Sequence, residues 1–237
     1  MILFLLLLAW IAGSLVYCVL TIVAARRYLS VRLPSLVRSV PISILKPLSG
    51  NDEGLAQNLR SFFEQDYPNF EILLAVRTDD DPAVPVVRKI QQEYPQVSAR
   101  LLFTGEPPYP NAKVYSLDTM LAEARHDLLV MSDSDIRVTP DFLRTLAAEF
   151  EDPHVGLATC PYRAVPGRSF WSLLESIGLN TEFLAGILVA RMLDGMKFAV
   201  GPTIAARRDT LALIGGFDQL KDYLAEDFVM GKLAAER

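Results

Sequence analysis

The stretch "LLVMSDSDIR" (residues 128–137) decides the fold prediction, because it joins a continuous apolar run to two closely spaced carboxylates. A short apolar run of this kind is typical of a strand that is buried on both faces. Asp133 and Asp135 follow at once, with only Ser134 between them. At about 6 Å and an effective dielectric near 20, two carboxylates repel by roughly 3 kcal/mol. The stretch therefore predicts either a polar turn or a site in which Asp133 and Asp135 hold Mg²⁺ or Mn²⁺.

The neighbouring segments predict an α/β fold with a mostly parallel sheet, because apolar runs alternate with amphipathic, helix-like stretches. Ligands of such sheets bind beyond the carboxyl ends of the strands. Two predicted strands end in acids, "DDDP" at 79–82 and "DSD" at 133–135, so we expect a ligand site at that edge. The predicted strands are 40–47, 70–76, 99–103 and 127–132, and the predicted helices between them are 54–65, 82–94 and 113–125.

The first 25 residues predict a membrane anchor. They carry no charged side chain, and as a helix they would extend roughly 37 Å, enough to cross a hydrocarbon core of about 30 Å. A cleaved signal peptide would need a basic start and a shorter apolar run. Arginines follow the run and none precedes it, which favours a cytoplasmic location for the rest of the chain. We expect a single spanning helix at 1–25, a basic linker at 26–40 and one domain at 41–237.

Composition excludes several other classes of protein. A net charge of −5 without a basic stripe argues against nucleic acid as a partner. The two cysteines, Cys18 and Cys160, lie too far apart to suggest a disulfide framework or a zinc site. Phosphatases of the haloacid dehalogenase class also place D-x-D after a strand, but Arg137 stands where they require Thr or Val. A nucleotidyltransferase would usually carry a Gly-rich, basic phosphate loop near its first strand, and none is found here.

Two further segments leave alternatives open. Glu226 and Asp227 open a predicted helix near the C-terminus, where acids also occur for structural reasons because they suit the positive end of the helix dipole. The stretch "SFWSLLESIGLNTEFLAGILVARML" (169–193) is apolar enough to be a core helix or a helix lying at a membrane surface.

The order of these motifs is similar to that of the family 2 inverting glycosyltransferases: "DDDP", then "DSD", a "GGF" turn, and "AED" opening a helix. More narrowly, residues 44–76 and 79–102 resemble ceramide glucosyltransferases and related bacterial enzymes that glycosylate hopanoid lipids. The resemblance implies a nucleotide-sugar-binding GT-A-type domain. It also implies transfer of a sugar from a UDP-sugar to a lipid hydroxyl, with inversion at the anomeric carbon.

The resemblance assigns a role to each acidic position. Asp81 would bind the nucleobase or ribose end of the donor, and Asp133 would lie near its diphosphate. Asp135 would complete the D-x-D at a Mn²⁺ or Mg²⁺ ion. Asp227 would be the general base that deprotonates the acceptor hydroxyl. Lys113, in a stretch that resembles the family's Asn-Pro-Lys segment, would contact donor phosphates or simply face water.

One family motif is missing. The Q/R-x-x-R-W pattern that follows the third aspartate in the family does not occur before Arg237. We therefore expect the chain to be truncated at its C-terminus, or to be a shortened form. The alternative function is a catalytically silent, membrane-bound donor-binding or scaffold protein. The sequence makes no prediction of the oligomeric state.

Overall fold

The structure is a computed structural model that describes residues 1–32 and 34–237. The described chain divides into two compact units, one formed by Met1–Arg32 with Pro161–Lys197 and the other by the remaining described residues. The strands are β1 (Ile42–Pro47), β2 (Phe70–Val76), β3 (Ser98–Phe103), β4 (Leu128–Ser132), β5 (Leu157–Thr159) and β6 (Thr203–Arg207). The α-helices are α1 (Ile2–Leu29), α2 (Leu55–Phe63), α3 (Ala83–Glu93), α4 (Ala112–Glu123), α5 (Phe142–Glu149), α6 (Phe170–Gly178), α7 (Leu184–Asp194), α8 (Arg208–Leu213) and α9 (Glu226–Ala235).

The larger unit is built on a six-stranded sheet in the order β3-β2-β1-β4-β6-β5. The first four strands in that order are parallel, with Ile42 in register with both Phe70 and Leu128. Strand β6 runs antiparallel to β4 and to β5. The carboxyl ends of β1, β2 and β4 therefore share one edge of the sheet, and the predicted mostly parallel α/β fold is confirmed.

Both faces of the sheet are covered, which explains why its central strands are continuously apolar. On one face, Ile44 and Val130 pack with the apolar residues of α2, α3 and α5. On the other, Leu45 and Met131 pack with those of α4, α8 and α9. Because side chains alternate along a strand, each central strand contributes to both clusters, and the sheet edge that carries the acids is held by packing on two sides.

The antiparallel part of the sheet was not predicted. Strand β5 has only three residues, and β6 passes directly into α8 without a glycine or proline between them. The sequence of neither segment favours a strand clearly over a helix or a loop. Their pairing depends on partners distant in sequence, such as Val130 opposite Ala205.

The smaller unit contains two helical segments that are long and apolar enough to cross a membrane. The first is α1, with a mean hydropathy of 2.5, which lies at the predicted anchor. The second runs from Phe170 to Asp194 and contains α6, a π-helix at Leu179–Phe183, and α7. Only 11% of its most apolar window is buried, so it is not a core helix. The sequence predicted one membrane-spanning helix, and the structure contains a second segment of sufficient length and hydropathy.

Candidate functional site

The site forms around Lys113, which links two acidic segments at the carboxyl edge of the sheet. Asn111 caps α4 by accepting a hydrogen bond from the Val114 N–H at 3.0 Å, and this cap fixes the first turn of the helix that carries Lys113. The Lys113 Nζ lies 2.8 Å from the Asp133 Oδ1 and 2.9 Å from the Glu226 Oε1. One ammonium therefore joins the end of β4 to the start of α9.

Asp133 is fixed by its backbone as well as by its side chain. Its N–H donates to the carbonyl of Pro202 at 2.9 Å, which ties the residue after β4 to the residue before β6. Behind it, the hydroxyls of Ser132 and Thr203 lie 3.0 Å apart in the buried space between the two strands. Antiparallel pairing of β6 with β4 thus sets the position of the Asp133 carboxylate.

A small pocket brings the predicted donor-side and base-side residues together. Its charged lining consists of Lys113, Asp133, Glu226 and Asp227, and its other lining residues include Leu117 and Met131. Asp227 is half-buried, whereas Glu226 is buried. Among the described residues, none forms an ion pair with the Asp227 carboxylate. Glu226 is occupied by Lys113, and Asp227 is the acid that remains available to a ligand.

The pocket has an excess of negative charge. Burial lowers the pKa of Lys113, but the carboxylates of Asp133 and Glu226 outweigh that effect and hold its pKa above the ordinary value. Burial also raises the pKa of Asp133. Lys113 opposes that rise, while Asp135 and Glu226 add to it. The pocket lining thus carries the carboxylates of Asp133, Glu226 and Asp227 against the ammonium of Lys113, and such a site favours the entry of a further cation.

Lys46 is a functional candidate that the sequence analysis missed. It lies in β1 with no exposed surface, and its Nζ donates to the Asp133 carbonyl at 2.6 Å and to the Ser132 hydroxyl at 3.3 Å. The same ammonium lies 3.8 Å from the centre of the Phe62 ring. Burial lowers the pKa of Lys46 to about 7, against the opposing charges of Asp133 and Asp135. The available signal was a lysine inside the mostly apolar strand "ISILKP", because a buried amine requires polar partners.

Asp135 lies in the loop after β4 and is exposed. The loop is held against α2, where the Asn58 side chain donates to the Ser134 carbonyl at 3.5 Å and accepts from the Arg137 Nε at 3.2 Å. Asp135 does not line the pocket, although its charge acts on both Asp133 and Lys46. The backbone of the D-x-D segment is therefore held by Asn58, while the Asp135 side chain is exposed to solvent.

The donor set fits a hard divalent cation only in part. Asp133 and Asp135 offer carboxylate oxygens, which suit Mg²⁺ or Mn²⁺. Within 1–32 and 34–237, no three His, Cys, Asp or Glu side chains are grouped to hold a metal ion. A cation here would complete its coordination with phosphate oxygens and water, as Mg²⁺ often does in proteins.

Asp81 lies in the connection between β2 and α3 and does not line the same pocket. Its carboxylate accepts hydrogen bonds from the Gly50 N–H at 3.0 and 3.2 Å and from the Ala83 N–H at 2.8 Å. Asp81 therefore connects the first residue of α3 to the loop after β1, where Gly50 adopts a φ of 72°. Asp133, Lys113 and Asp227 come together, while Asp81 lies at a neighbouring strand end.

Comparison with solved structures supports the fold assignment. The mannosyltransferase PcManGT from Pyrobaculum calidifontis, in complex with GDP-Man and Mn2+, matches 93% of this chain and 61% of its own, with a TM-score of 0.64 and 21% identity. S. aureus TarS 1-349, in complex with UDP-GlcNAc, matches 82% of this chain and 53% of its own, with a TM-score of 0.52 and 18% identity. These similarities confirm the predicted GT-A-type fold.

Sequence comparison supplies the family. Ceramide glucosyltransferase 1 of Caenorhabditis elegans is 31% identical over 198 residues, which cover 83% of this chain and 42% of that protein. Ceramide glucosyltransferase 3 of the same organism is 29% identical over 237 residues, 98% of this chain and 51% of that protein. The chain thus spans about half the length of these relatives. The sequence model of Glycosyl transferase family 21 matches residues 6–237, so the predicted resemblance is confirmed and the chain belongs to glycosyl transferase family 21.

Proposed function

We propose that this chain carries the donor-binding and catalytic residues of a membrane-anchored glycosyltransferase. It would transfer a sugar from a UDP-sugar to a lipid hydroxyl with inversion. The proposal rests on one observation: Lys113 joins Asp133 to Glu226 in the same pocket that is lined by the Asp227 carboxylate, which is unpaired among the described residues. This transfer requires an acid near the donor, a cation and a base. Asp133, Lys113 and Asp227 would supply these groups from separate elements at one edge of the sheet.

The donor diphosphate is assigned to the Asp133 side of the pocket. Asp133 and Asp135 would hold Mn²⁺ or Mg²⁺, which neutralises the charge of a departing diphosphate. Lys113 has a raised pKa and is therefore a cation at neutral pH, free to pair with a phosphate oxygen in place of a carboxylate. The two structural neighbours are complexes with a nucleotide sugar, and one also contains Mn2+, which supports a donor of this class.

Asp81 is assigned to the nucleobase or ribose of the donor. Its carboxylate already accepts backbone hydrogen bonds from both the β1 loop and α3, so its orientation is fixed before any ligand arrives. A carboxylate oxygen has more than one lone pair, and it can accept a further hydrogen bond from a ribose hydroxyl or a base N–H.

Asp227 is assigned as the general base, and Glu226 as its positioning neighbour. Glu226 is buried and its Oε1 is paired with Lys113, so Asp227 is the more accessible and less engaged of the two carboxylates. Asp227 would take the proton from the acceptor hydroxyl as that oxygen bonds to the anomeric carbon. The bond from that carbon to the diphosphate oxygen breaks on the opposite face, and a single displacement of this kind inverts the anomeric centre.

The acceptor is assigned as a membrane lipid of the ceramide or hopanoid type. Two of the relatives are named as ceramide glucosyltransferases, and α1 supplies an apolar helix long enough to span a bilayer. Arg26 and Arg27 close that helix, and no basic side chain precedes them, so the catalytic domain at 41–237 is assigned to the cytoplasm. The predicted linker at 26–40 begins inside this helix, which runs to Leu29, so the linker is assigned to the residues after Leu29.

The test is a donor-by-acceptor matrix on membranes that express the full gene, with wild type beside Asp227→Asn. We expect one UDP-sugar and one lipid class to give product. In Asp227→Asn the rate should fall by roughly 10²–10⁴-fold, the usual contribution of a general base, with donor binding retained. UDP binding without turnover of any pair would favour a silent donor-binding protein. Activity of Asp227→Asn above about a tenth of wild type would move the base to another residue such as Glu226.

A further inference from the structure

Helix α6 presents an apolar face that no described residue covers. Phe170, Leu173, Leu174 and Ile177 follow the i, i+3, i+4, i+7 spacing that places side chains on one side of a helix. All four are exposed, and Trp171 beside them has 75% of its surface exposed. The opposite side carries Glu175 and the buried Ser176. The helix is therefore amphipathic, and its apolar side faces away from the protein.

The polar side is already occupied by the preceding loop. Asn180, in the π-helix that follows α6, donates to the Ala164 carbonyl and accepts from the Ala164 N–H, both at 2.8 Å. The Ser172 hydroxyl accepts from the Gly167 N–H at 2.8 Å. The chain before α6 thus folds against the side that carries the polar residues, which leaves the apolar side as the free surface.

The anchor helix identifies what meets that surface. Helix α7 continues from α6 and packs against α1 within the same compact unit, where the Arg191 guanidinium lies 5.5 Å from the centre of the Tyr28 ring. A segment attached to a spanning helix is held close to the bilayer. Tryptophan and phenylalanine on such a segment are typical of the boundary between headgroups and acyl chains.

The position of Glu182 separates a helix that lies on the membrane from one that crosses it. Glu182 is exposed and lies at the middle of the Phe170–Asp194 segment. If this segment crossed the bilayer, the carboxylate would lie near the midplane, where acids are among the most unfavourable residues. A helix lying in the boundary keeps Glu175 and Glu182 in contact with water.

We propose that α6 lies in the headgroup–acyl boundary, with Phe170, Trp171, Leu173, Leu174 and Ile177 inserted into lipid. It would form a second membrane contact, distinct from the spanning anchor. This contact does not depend on the proposed activity, because it rests on the exposed apolar face and on the link from α7 to α1.

The chain offers a direct test, because Trp10 and Trp171 are its only tryptophans. The Trp10→Phe protein, reconstituted in phosphatidylcholine vesicles, reports on Trp171 alone. We expect its fluorescence to be quenched more strongly by lipids brominated near the headgroup than by lipids brominated near the chain end. Stronger quenching by the deep label would overturn the proposal in favour of a second span. Quenching by neither label would show that water or protein covers the face, and would overturn it as well.

A pair of substitutions on α6 sharpens the test, with α1 holding each variant at the membrane. Leu174→Glu, made in the Trp10→Phe background, places a charge on the apolar face and should largely remove the shallow quenching of Trp171. Glu175→Gln, on the opposite, polar side, should leave the quenching unchanged. Equal effects of the two variants would show that the orientation of the helix is wrong. Retention of the helical circular dichroism signal in both variants excludes unfolding as the cause.

Discussion

Gly201 lies against Asp227, the proposed base. Replacing Gly201 with alanine should displace the Asp227 carboxylate by a distance that follows from the structure. A methyl group added at Gly201 would lie 2.5 Å from the Asp227 Oδ2 and 3.3 Å from its Cγ. Gly201 is not among the glycines with positive φ, so alanine fits its backbone without strain. The substitution Gly201→Ala therefore acts on the Asp227 side chain and leaves the strand geometry intact.

The size of the effect follows from contact distances. Ordinary contact begins at 3.4 Å, so the carboxylate must withdraw by about 0.9 Å. A misplacement of about 1 Å can reduce a rate by about 10²-fold. We therefore expect kcat to fall by about that factor, while UDP affinity is unchanged because Asp133 and Lys113 are not displaced.

The assay is initial-rate turnover on membranes expressing the full gene, with UDP affinity measured by calorimetry on the purified protein. Gly178→Ala is the matched control, because a methyl group there meets nothing within 4 Å. The double variant Gly201→Ala with Asp227→Asn should be no slower than Asp227→Asn alone, because both changes act through one group. Fully multiplicative losses, or a Gly201→Ala rate above about half of wild type, would refute the reasoning.

Three further predictions concern the metal, the buried lysine and the topology. Asp135→Asn should weaken Mn²⁺-dependent UDP binding and leave the unfolding midpoint unchanged, since Asp135 is exposed and packs against little; unchanged affinity by calorimetry would remove Asp135 from the metal site. The pKa of Lys46 is about 7 in the folded protein and 10.5 ordinarily. Between these pH values the unfolded chain binds more protons than the folded one. The free energy of unfolding should therefore rise by about 1.4 kcal/mol per pH unit above pH 7 because of this group. Lys46→Met should remove that rise in urea titrations at pH 7 and pH 9, and an identical pH dependence in both proteins would contradict the burial of a titrating amine. Protease added to sealed inside-out vesicles should digest the domain after α1, whereas protection would reverse the assigned orientation.

The parallel half of the fold could be predicted because its signals are local. Strands β1 to β4 are apolar runs bounded by polar or turn residues, and the prediction for β2 matches its observed bounds of Phe70–Val76. Strands β5 and β6 could not be predicted, because their pairing is decided by partners far along the chain. The 169–193 stretch also could not be resolved from composition, since an apolar helix looks alike in a core and at a membrane.

The candidate site shows the same division between local and distant information. Asp133 and Asp227 were identifiable from motifs at a strand end and a helix start. The link that Lys113 makes from Asp133 to Glu226, the residue before Asp227, depends on where α4 and α9 pack, and no spacing in the sequence indicates it. Lys46 was overlooked because one lysine does not alter the mostly apolar pattern of β1, although its buried Nζ donates to the Asp133 carbonyl at 2.6 Å.

The hydrogen bond from the Asp133 N–H to the Pro202 carbonyl has a consequence for how such proteins diversify. Pro202 follows Gly201, the residue against the proposed base Asp227, so one backbone bond fixes the spacing between Gly201 and the proposed donor-side acid, Asp133. A family member with a different acceptor cannot make room for it by shifting β4 along β6, because the two strands would lose their pairing register. New acceptors must be accommodated by segments outside β4 and β6. Members of the family with different acceptors should therefore superimpose closely on these two strands and diverge elsewhere, a pattern that structures of two such members would reveal directly.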